Sequence, residues 1–247
     1  MTAAASVPVR DALVLAAGNG DRFHNRTRQS KLLQPLLGRP LILRTLDTAR
    51  DAGIRRFEVV LGYQADDVRA AIDQSAPEGV SIHFSVNPEW HLENGVSVLR
   101  ARPHLDDRRF ALLMGDHLFD PAVLTRLLTV ATRPGESLLA VDARPATPQI
   151  TEEATKVRMT GDGRIIAIGK ALSQFDALDT GMFVCAPLLF DALETSRAAG
   201  DTTLSGGIRE LAARGLMRGV DIGGSAWHDI DTMADLEAAE GLLAEPA

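Results

Sequence analysis

Residues 13–31 read LVLAAGNGDRFHNRTRQSK, and this one stretch sets the class of fold. The apolar run Ala12-Leu13-Val14-Leu15-Ala16-Ala17 stops abruptly at Gly18-Asn19-Gly20-Asp21-Arg22, and a polar segment then leads to Lys31. A short continuous apolar run bounded by glycine reads as a buried strand, here one that delivers a glycine-rich loop to a sheet edge. Gly18 and Gly20 carry no Cβ and can take positive φ, so backbone N–H groups around them can cradle phosphate oxygens. Arg22 and Lys31 add positive charge to the same loop. The spacing is not that of a P-loop, which needs Gly-Lys-Ser/Thr directly after the glycines. Nor is it the dinucleotide G-x-G-x-x-G, because Phe23 stands where the third glycine belongs. A plain tight turn is the competing reading of these two glycines taken alone.

Working outward, the chain alternates strands and helices. A helix is expected from Pro40 to about Asp51, closed by Gly53, followed by a buried strand at 57–61 and a short helix at 65–72. Residues 80–86 alternate apolar and polar, the pattern of a half-covered strand, which turns His83 away from Ile82 toward the surface. Phe110 to Met114 is again continuously apolar, a central parallel strand that ends in Gly115-Asp116-His117. Ligands of open α/β sheets sit beyond the carboxyl ends of the strands, so Asp116 is delivered beside the first loop. A carboxylate facing a phosphate loop suggests a bridging Mg²⁺, and a turn-forming acid is the alternative. Asp229 and Asp231 lie two apart on the last expected strand, so both point to one face as a second carboxylate set.

Beyond the strand at 138–141, Arg144-Pro145-Ala146-Thr147-Pro148 is the best candidate for an internal boundary. Residues 154–184 then read as antiparallel strands and turns. In register, that hairpin makes Lys156 and Lys170 cross-strand neighbours, an arrangement that calls for an anion between them. The whole is expected to be one domain, 1–247. Residues 8–143 form a nucleotide-binding half, 150–232 an acceptor half, and 233–247 a C-terminal helix.

Composition narrows the function. At 247 residues and 45% apolar content the chain can bury one sizeable core. Its net charge of −7 argues against general nucleic-acid binding, so a nucleotide has to be caught locally. No run is long enough to span a bilayer and the first ten residues lack a signal pattern, so a soluble cytoplasmic protein is expected. Cys185 is the one cysteine, which excludes an intrachain disulfide. Of the 26 basic residues, only Lys31, Lys156 and Lys170 are lysine. Lysine is a compact point charge suited to phosphate, and all three fall in the stretches already singled out.

The ordered set Leu15-Ala16-Ala17-Gly18-x-Gly20-x-Arg22, Lys31 and Pro35-Leu36-x-Gly38-Arg39-Pro40-Leu41 resembles the nucleotidylyltransferases that join a nucleoside triphosphate to a phosphorylated sugar or alcohol. Glu93-Asn94-Gly95, Met114-Gly115-Asp116-His117, Asp179-Thr180-Gly181 and Trp227-His228-Asp229-Ile230-Asp231-Thr232 extend the resemblance over nearly the whole chain. Glu153 to Val157, Ile168-Gly169-Lys170 and the Asp-Thr-Gly are most similar to inositol-1-phosphate cytidylyltransferases. Two departures stand out. Lys31-Leu32-Leu33 replaces the usual Lys-Pro-Leu, as in enzymes acting on molybdenum cofactor, and Phe23 replaces Met or Leu.

The resemblance implies a Rossmann-like three-layer α/β sandwich, with a mostly parallel sheet and a small antiparallel acceptor-binding subregion. It implies a Mg²⁺-dependent enzyme whose partners are CTP and a phosphorylated acceptor, most simply inositol 1-phosphate, as a monomer or homodimer. Leu15, Ala16, Ala17, Gly18, Asn19, Gly20 and Asp21 would line the nucleotide, with Asn94, Gly95 and Ser97 at the base or ribose. A polar turn capping a helix is the alternative for these last three. Arg22, Lys31, Asp116 and Lys156 would be catalytic; Lys156, Lys170, Asp179, Thr180 and Gly181 would bind the acceptor; Asp116, Asp229 and Asp231 would hold metal. The fused membrane domain of some such enzymes is not legible here. Rivals are another phospho-alcohol, a phosphonate or a sugar 1-phosphate as acceptor, GTP or UTP as donor, and a nucleotide sensor without turnover.

Overall fold

The computed structural model describes residues 8–21, 23, 29–144 and 154–244, with side chains placed to residue 241. The Pro145–Pro148 bend and Arg22 lie outside the described residues.

Strand β1 (Asp11–Ala16) is buried along its whole length, as its apolar run requires. A single 3-10 turn (Lys31–Leu33) and a two-residue hairpin, β2 (Pro35–Leu36) with β3 (Arg39–Pro40), lead into helix α1 (Leu41–Asp51). Pro40 therefore pairs in the hairpin and precedes the helix instead of opening its first turn. Then come β4 (Arg56–Leu61), α2 (Ala65–Ser75), β5 (Ser81–Val86), α3 (Asn94–Arg100) and α4 (Arg102–Leu105). Strand β6 (Phe110–Met114) turns directly into β7 (His117–Phe119), and α5 (Pro121–Thr129) starts under an Asp120 cap that accepts the Ala122 N–H at 2.8 Å. The second half runs β8 (Ser137–Asp142), β9 (Lys156–Met159), β10 (Ile165–Gly169), β11 (Ala177–Cys185), α6 (Leu188–Ala198), α7 (Leu204–Ala213), β12 (Met217–Asp221), β13 (Trp227–Asp229) and α8 (Met233–Ala244).

One nine-stranded sheet organises the molecule. Strands β5, β4, β1 and β6 are mutually parallel, with Ala16 opposite Leu61 and Leu15 opposite Met114. This register brings three carboxyl ends to one edge, so the glycine loop, the Gly62–Gln64 turn and Gly115-Asp116 emerge together. Beyond β6 the direction reverses: β11 pairs antiparallel with β6, β8 and β9, and β12 pairs parallel with β8. The antiparallel subregion is thus continuous with the main sheet, its β9–β10 hairpin hung on the amino-terminal end of β11.

Apolar side chains on both faces make the three layers. On one face Ile42, Leu46, Val68 and Leu124 pack from α1, α2 and α5. On the other, Val98, Phe190, Leu193 and Ile208 pack from α3, α6 and α7, with Phe110 and Phe190 stacked 5.5 Å apart. A third, smaller core joins Phe23, Leu36, Leu41, Ile230, Leu236 and Ala239. Phe23 therefore fastens the far end of the glycine loop to α8, a task an apolar side chain performs through burial. The free Cys185 is fully buried, and burial pushes its thiol well above the ordinary range.

Candidate active site

Lys31 opens the 3-10 turn behind a Ser30 cap, and Ser30 N–H donates to Gln64 Oε1 at 2.6 Å. With Leu32 and Leu33 buried beside it, the lysine stem is drawn into the protein. Gly20, at φ +62°, arches over that stem, and a Cβ there would lie 3.2 Å from Lys31 Cβ. Only 8% of the Lys31 side chain is exposed, yet its ammonium lies 2.7 Å from Asp116 Oδ2 and 2.9 Å from Asp231 Oδ1. Burial alone would lower the lysine pKa, but Asp116 and then Asp231 outweigh it and hold the group above the ordinary lysine range.

Asp116 is placed by close packing. Gly115 has no room for a Cβ, which would fall 2.9 Å from the Leu15 carbonyl oxygen. The buried Thr45 hydroxyl on α1 lies 3.1 Å from the Gly115 carbonyl and 3.3 Å from that of His117. Strand β13 pairs antiparallel with β7, setting Asp229 opposite His117, and Ile230 N–H donates to the Asp116 carbonyl at 3.3 Å. Asp229 and Asp231 do converge on one centre, but with different partners. His117 Nε2 lies 3.4 Å from Asp229 Oδ1 and 3.9 Å from Asp116 Oδ1, whereas Asp231 pairs with Lys31.

His117 is the site residue that sequence reading left unassigned. Its Nδ1 lies 3.1 Å from the Thr180 carbonyl, so both ring nitrogens face oxygen and both can donate. Burial lowers its pKa, but Asp229 raises it more, to about 9. Asp229 is in turn pushed up by burial and pulled down further by His117 and Lys31, ending far below the carboxylate range. The Asp-Thr-Gly of β11 builds the seat for this imidazole. Gly181 has φ +74°, and a Cβ on it would stand 2.3 Å from His117 Cε1. The Thr180 hydroxyl donates to the Ala140 carbonyl at 2.7 Å, and the Asp179 carboxylate accepts the Gly181 N–H at 2.8 Å. Burial lifts the Asp179 carboxyl to about 6. These side chains are thus turned into the fold.

The other expected residues divide in the same way. Leu15, Ala16 and Ala17 are buried, and Gly18 meets open space beyond them. Asn19 Nδ2 donates to Asp21 Oδ1 at 2.6 Å, a bond that shapes the loop. Asn94 accepts the Leu204 N–H at 2.8 Å, Gly95 packs against the Thr202–Thr203 backbone, and the Ser97 hydroxyl accepts from Asn87 at 3.0 Å. Their side-chain roles here are to join α3 to α7 and to the strand end at Asn87. Lys156 sits opposite Gly169, one residue short of the expected pairing with Lys170, and its ammonium donates to the Lys170 carbonyl at 2.7 Å.

Asp116, His117 and Asp229 offer ligand atoms that all lie within 4.8 Å of one another. Two carboxylates beside an open loop fit Mg²⁺, which takes one or two protein carboxylates and fills its shell with phosphate oxygens and water. His117 stands beside the two carboxylates, where burial lowers its pKa and Asp229 raises it more.

A phosphate-ready loop and a lysine–aspartate cluster at the carboxyl ends of parallel strands define a nucleotidyltransferase fold. The chain belongs to the MobA-like NTP transferase domain family, whose model matches residues 12–212. The chain is 35% identical over 237 residues to the bifunctional IPC transferase and DIPP synthase of Rubrobacter xylanophilus, a match covering 94% of this chain and 51% of that protein. It is 35% identical over 262 residues to the CMP-5'-(3-aminopropyl)phosphonate synthase of Streptomyces rubellomurinus, covering 98% of this chain and 40% of the relative. The chain thus spans about half or less of the length of these curated relatives. Among solved structures, the inositol-1-phosphate CTP transferase of T. maritima superposes with a TM-score of 0.84 at 26% identity, over 96% of each chain.

Proposed function

We propose that this domain is a Mg²⁺-dependent cytidylyltransferase that joins CTP to a phosphorylated polyol, inositol 1-phosphate first among them, with release of pyrophosphate. The observation that carries the chemistry is the buried Lys31 held between Asp116 and Asp231 beside the glycine loop. The choice of CTP and inositol 1-phosphate is supported by the name of the T. maritima neighbour, which matches this chain nearly end to end. A phosphonate acceptor is the second reading, supported by the likeness to the aminopropylphosphonate synthase.

In the proposed reaction an acceptor phosphate oxygen attacks the α-phosphorus of CTP in line. The bond from that phosphorus to the bridging oxygen breaks, and pyrophosphate leaves. A phosphate near neutral pH is already a nucleophile, so no general base is needed. The obstacle is repulsion between two anions, and catalysis is positioning with charge neutralisation. The backbone from Gly18 to Asp21, with Arg22, holds the triphosphate. Lys31 exchanges part of its aspartate contact for the α-phosphate as charge builds there. Asp116 and Asp229 would hold Mg²⁺, which when bound would supply positive charge to offset the negative charge of the phosphate oxygens. His117 keeps Asp229 ionised and aimed, while Lys156 and Lys170 draw in the acceptor phosphate. The enzyme is expected to work in the cytoplasm, where CTP is available.

The test is pyrophosphate release with Mg²⁺, each of the four ribonucleoside triphosphates, and a panel of acceptors led by inositol 1-phosphate and an aminoalkylphosphonate. Release confined to CTP with inositol 1-phosphate supports the first reading, and release with CTP and the phosphonate supports the second. Tight CTP binding without release for any acceptor overturns both and leaves a nucleotide sensor.

A further inference from the structure

Among the described residues a second cluster of metal-ligating side chains lies outside the active site, on the α3–α4 face of the sheet. Glu58 on β4, His83 on β5 and His104 on α4 offer three ligand atoms within 4.8 Å of one another. Glu58 and His83 are direct register partners in the parallel pair β4–β5, and His83 Nδ1 lies 2.7 Å from Glu58 Oε2. The His83 and His104 rings face each other with centroids 4.1 Å apart and planes 43° from parallel.

Two features set this cluster apart from a surface ion pair. The Glu58 side chain is only 3% exposed, and its second oxygen, Oε1, is buried without a hydrogen-bond partner. A buried carboxylate oxygen left unpaired is costly, and a missing ion is one of its standard explanations. Further, two imidazoles whose nitrogens converge with a carboxylate oxygen are the donor set that a divalent transition ion takes.

We propose that Glu58, His83 and His104 bind one Zn²⁺-class ion, with the fourth position left to water. Imidazole nitrogen selects zinc and its first-row neighbours over Mg²⁺, so the site is chemically distinct from the carboxylate pair beside Lys31. Tetrahedral zinc with bonds of about 2.0–2.1 Å sets its ligand atoms roughly 3.3 Å apart. Glu58 is buried and is the fixed ligand, and the two exposed imidazoles are the ones that would turn toward that spacing. The ion would clip β5 to α4, tying down a strand that ends the sheet among the described residues.

The experiment uses the untagged full chain stripped with chelator, then titrated with Zn²⁺ alone by calorimetry and with Co²⁺ by visible absorption, both in millimolar Mg²⁺. Expected are one equivalent bound, the intense bands of four-coordinate Co²⁺, and a higher melting temperature with Zn²⁺. His83→Ala and His104→Ala each alter an exposed side chain and should keep the fold, while weakening Zn²⁺ binding by more than about tenfold. Asp116→Asn and Asp229→Asn should leave that binding intact. Absence of binding in Mg²⁺, binding that survives both histidine variants, or binding that follows Asp116 and Asp229 overturns the proposal.

Discussion

Lys31 and Lys156 are both expected to meet phosphate, and the protein prepares them in opposite ways. Lys31 is buried and already neutralised by two aspartates, one of them 200 residues away in sequence. Lys156 is half-buried at the start of β9 and its ammonium donates to the Lys170 backbone carbonyl. The difference follows from solvent. A lysine removed from water must bring its counter-charges with it, so the Lys31 cluster is assembled before any ligand arrives. A lysine at the surface keeps its charge by hydration and is available to whatever anion approaches. The Lys31 cluster, built from both parts of the chain, is therefore preorganised, and the Lys156 end is adaptable.

The sharpest way to break this contrast is to remove the buried cation or its partner. Lys31→Met and Asp116→Asn should each lower kcat on the order of 100-fold or more in single-turnover assays with CTP and the best acceptor. Turnover within threefold of the parent for either would refute a preorganised centre at this end. Next in size is Gly181→Ala, which places a Cβ on His117 at a positive-φ position. A loss of about 2–3 kcal/mol in urea unfolding is expected, together with loss of turnover as His117 is driven from Asp229.

The join between the halves gives a pH signature. Asp142 at the end of β8 accepts from Arg144 at 2.7 Å and from Trp227 Nε1 at 2.9 Å, linking β8 to the strand that carries Asp229. Burial raises its pKa, but Arg144 and then Trp227 outweigh this and bring it down to about 2. A carboxyl depressed on folding contributes stability above its unfolded pKa and loses it as pH falls. Stability from this group should therefore be complete above about pH 5 and decline by about 2 kcal/mol toward pH 2. Asp142→Asn should lack that acid-dependent step in denaturation curves taken across the range, and retention of the full step would place its origin elsewhere. The smallest effect is expected at the adaptable end. Lys156→Ala should raise the acceptor KM by about tenfold, with the KM for CTP unchanged, as a single surface phosphate contact is worth. Equal changes in both constants would mean that Lys156 serves the nucleotide as well.

Much of the fold was legible because burial writes itself into local pattern. The continuous apolar runs at Leu13 and Phe110, each preceded by charged residues and stopped by a glycine, mark central strands, and Asp120-Pro121 marks a helix start. Legibility failed where neighbours decide. The strand over 117–119 is too short and mixed to show a period, so the sequence leaves His117 without a role between substrate contact and turn support, although it is the hub of the charge cluster. Thr45 looks like any helical threonine until β6 is packed against it. Asn94 and Ser97 read equally well as ligands or caps, and in the fold their side chains bond to other parts of the chain. Glu58 stands in an apolar strand with nothing nearby in sequence to announce that His83 and His104 converge on it.

Residue types and local periodicity were enough to mark alternating strands and helices, a glycine-rich loop after the first strand, and a short roster of lysines and aspartates; the three-layer α/β sandwich came with the family resemblance. Partners were decided by tertiary structure alone: Asp231 for Lys31, Asp229 for His117, Gly169 instead of Lys170 opposite Lys156. The physical reason is that a side chain's burial is imprinted by its immediate neighbours in sequence. Its charge partner is set by strand register and by turns hundreds of residues apart, which are fixed only when the sheet closes.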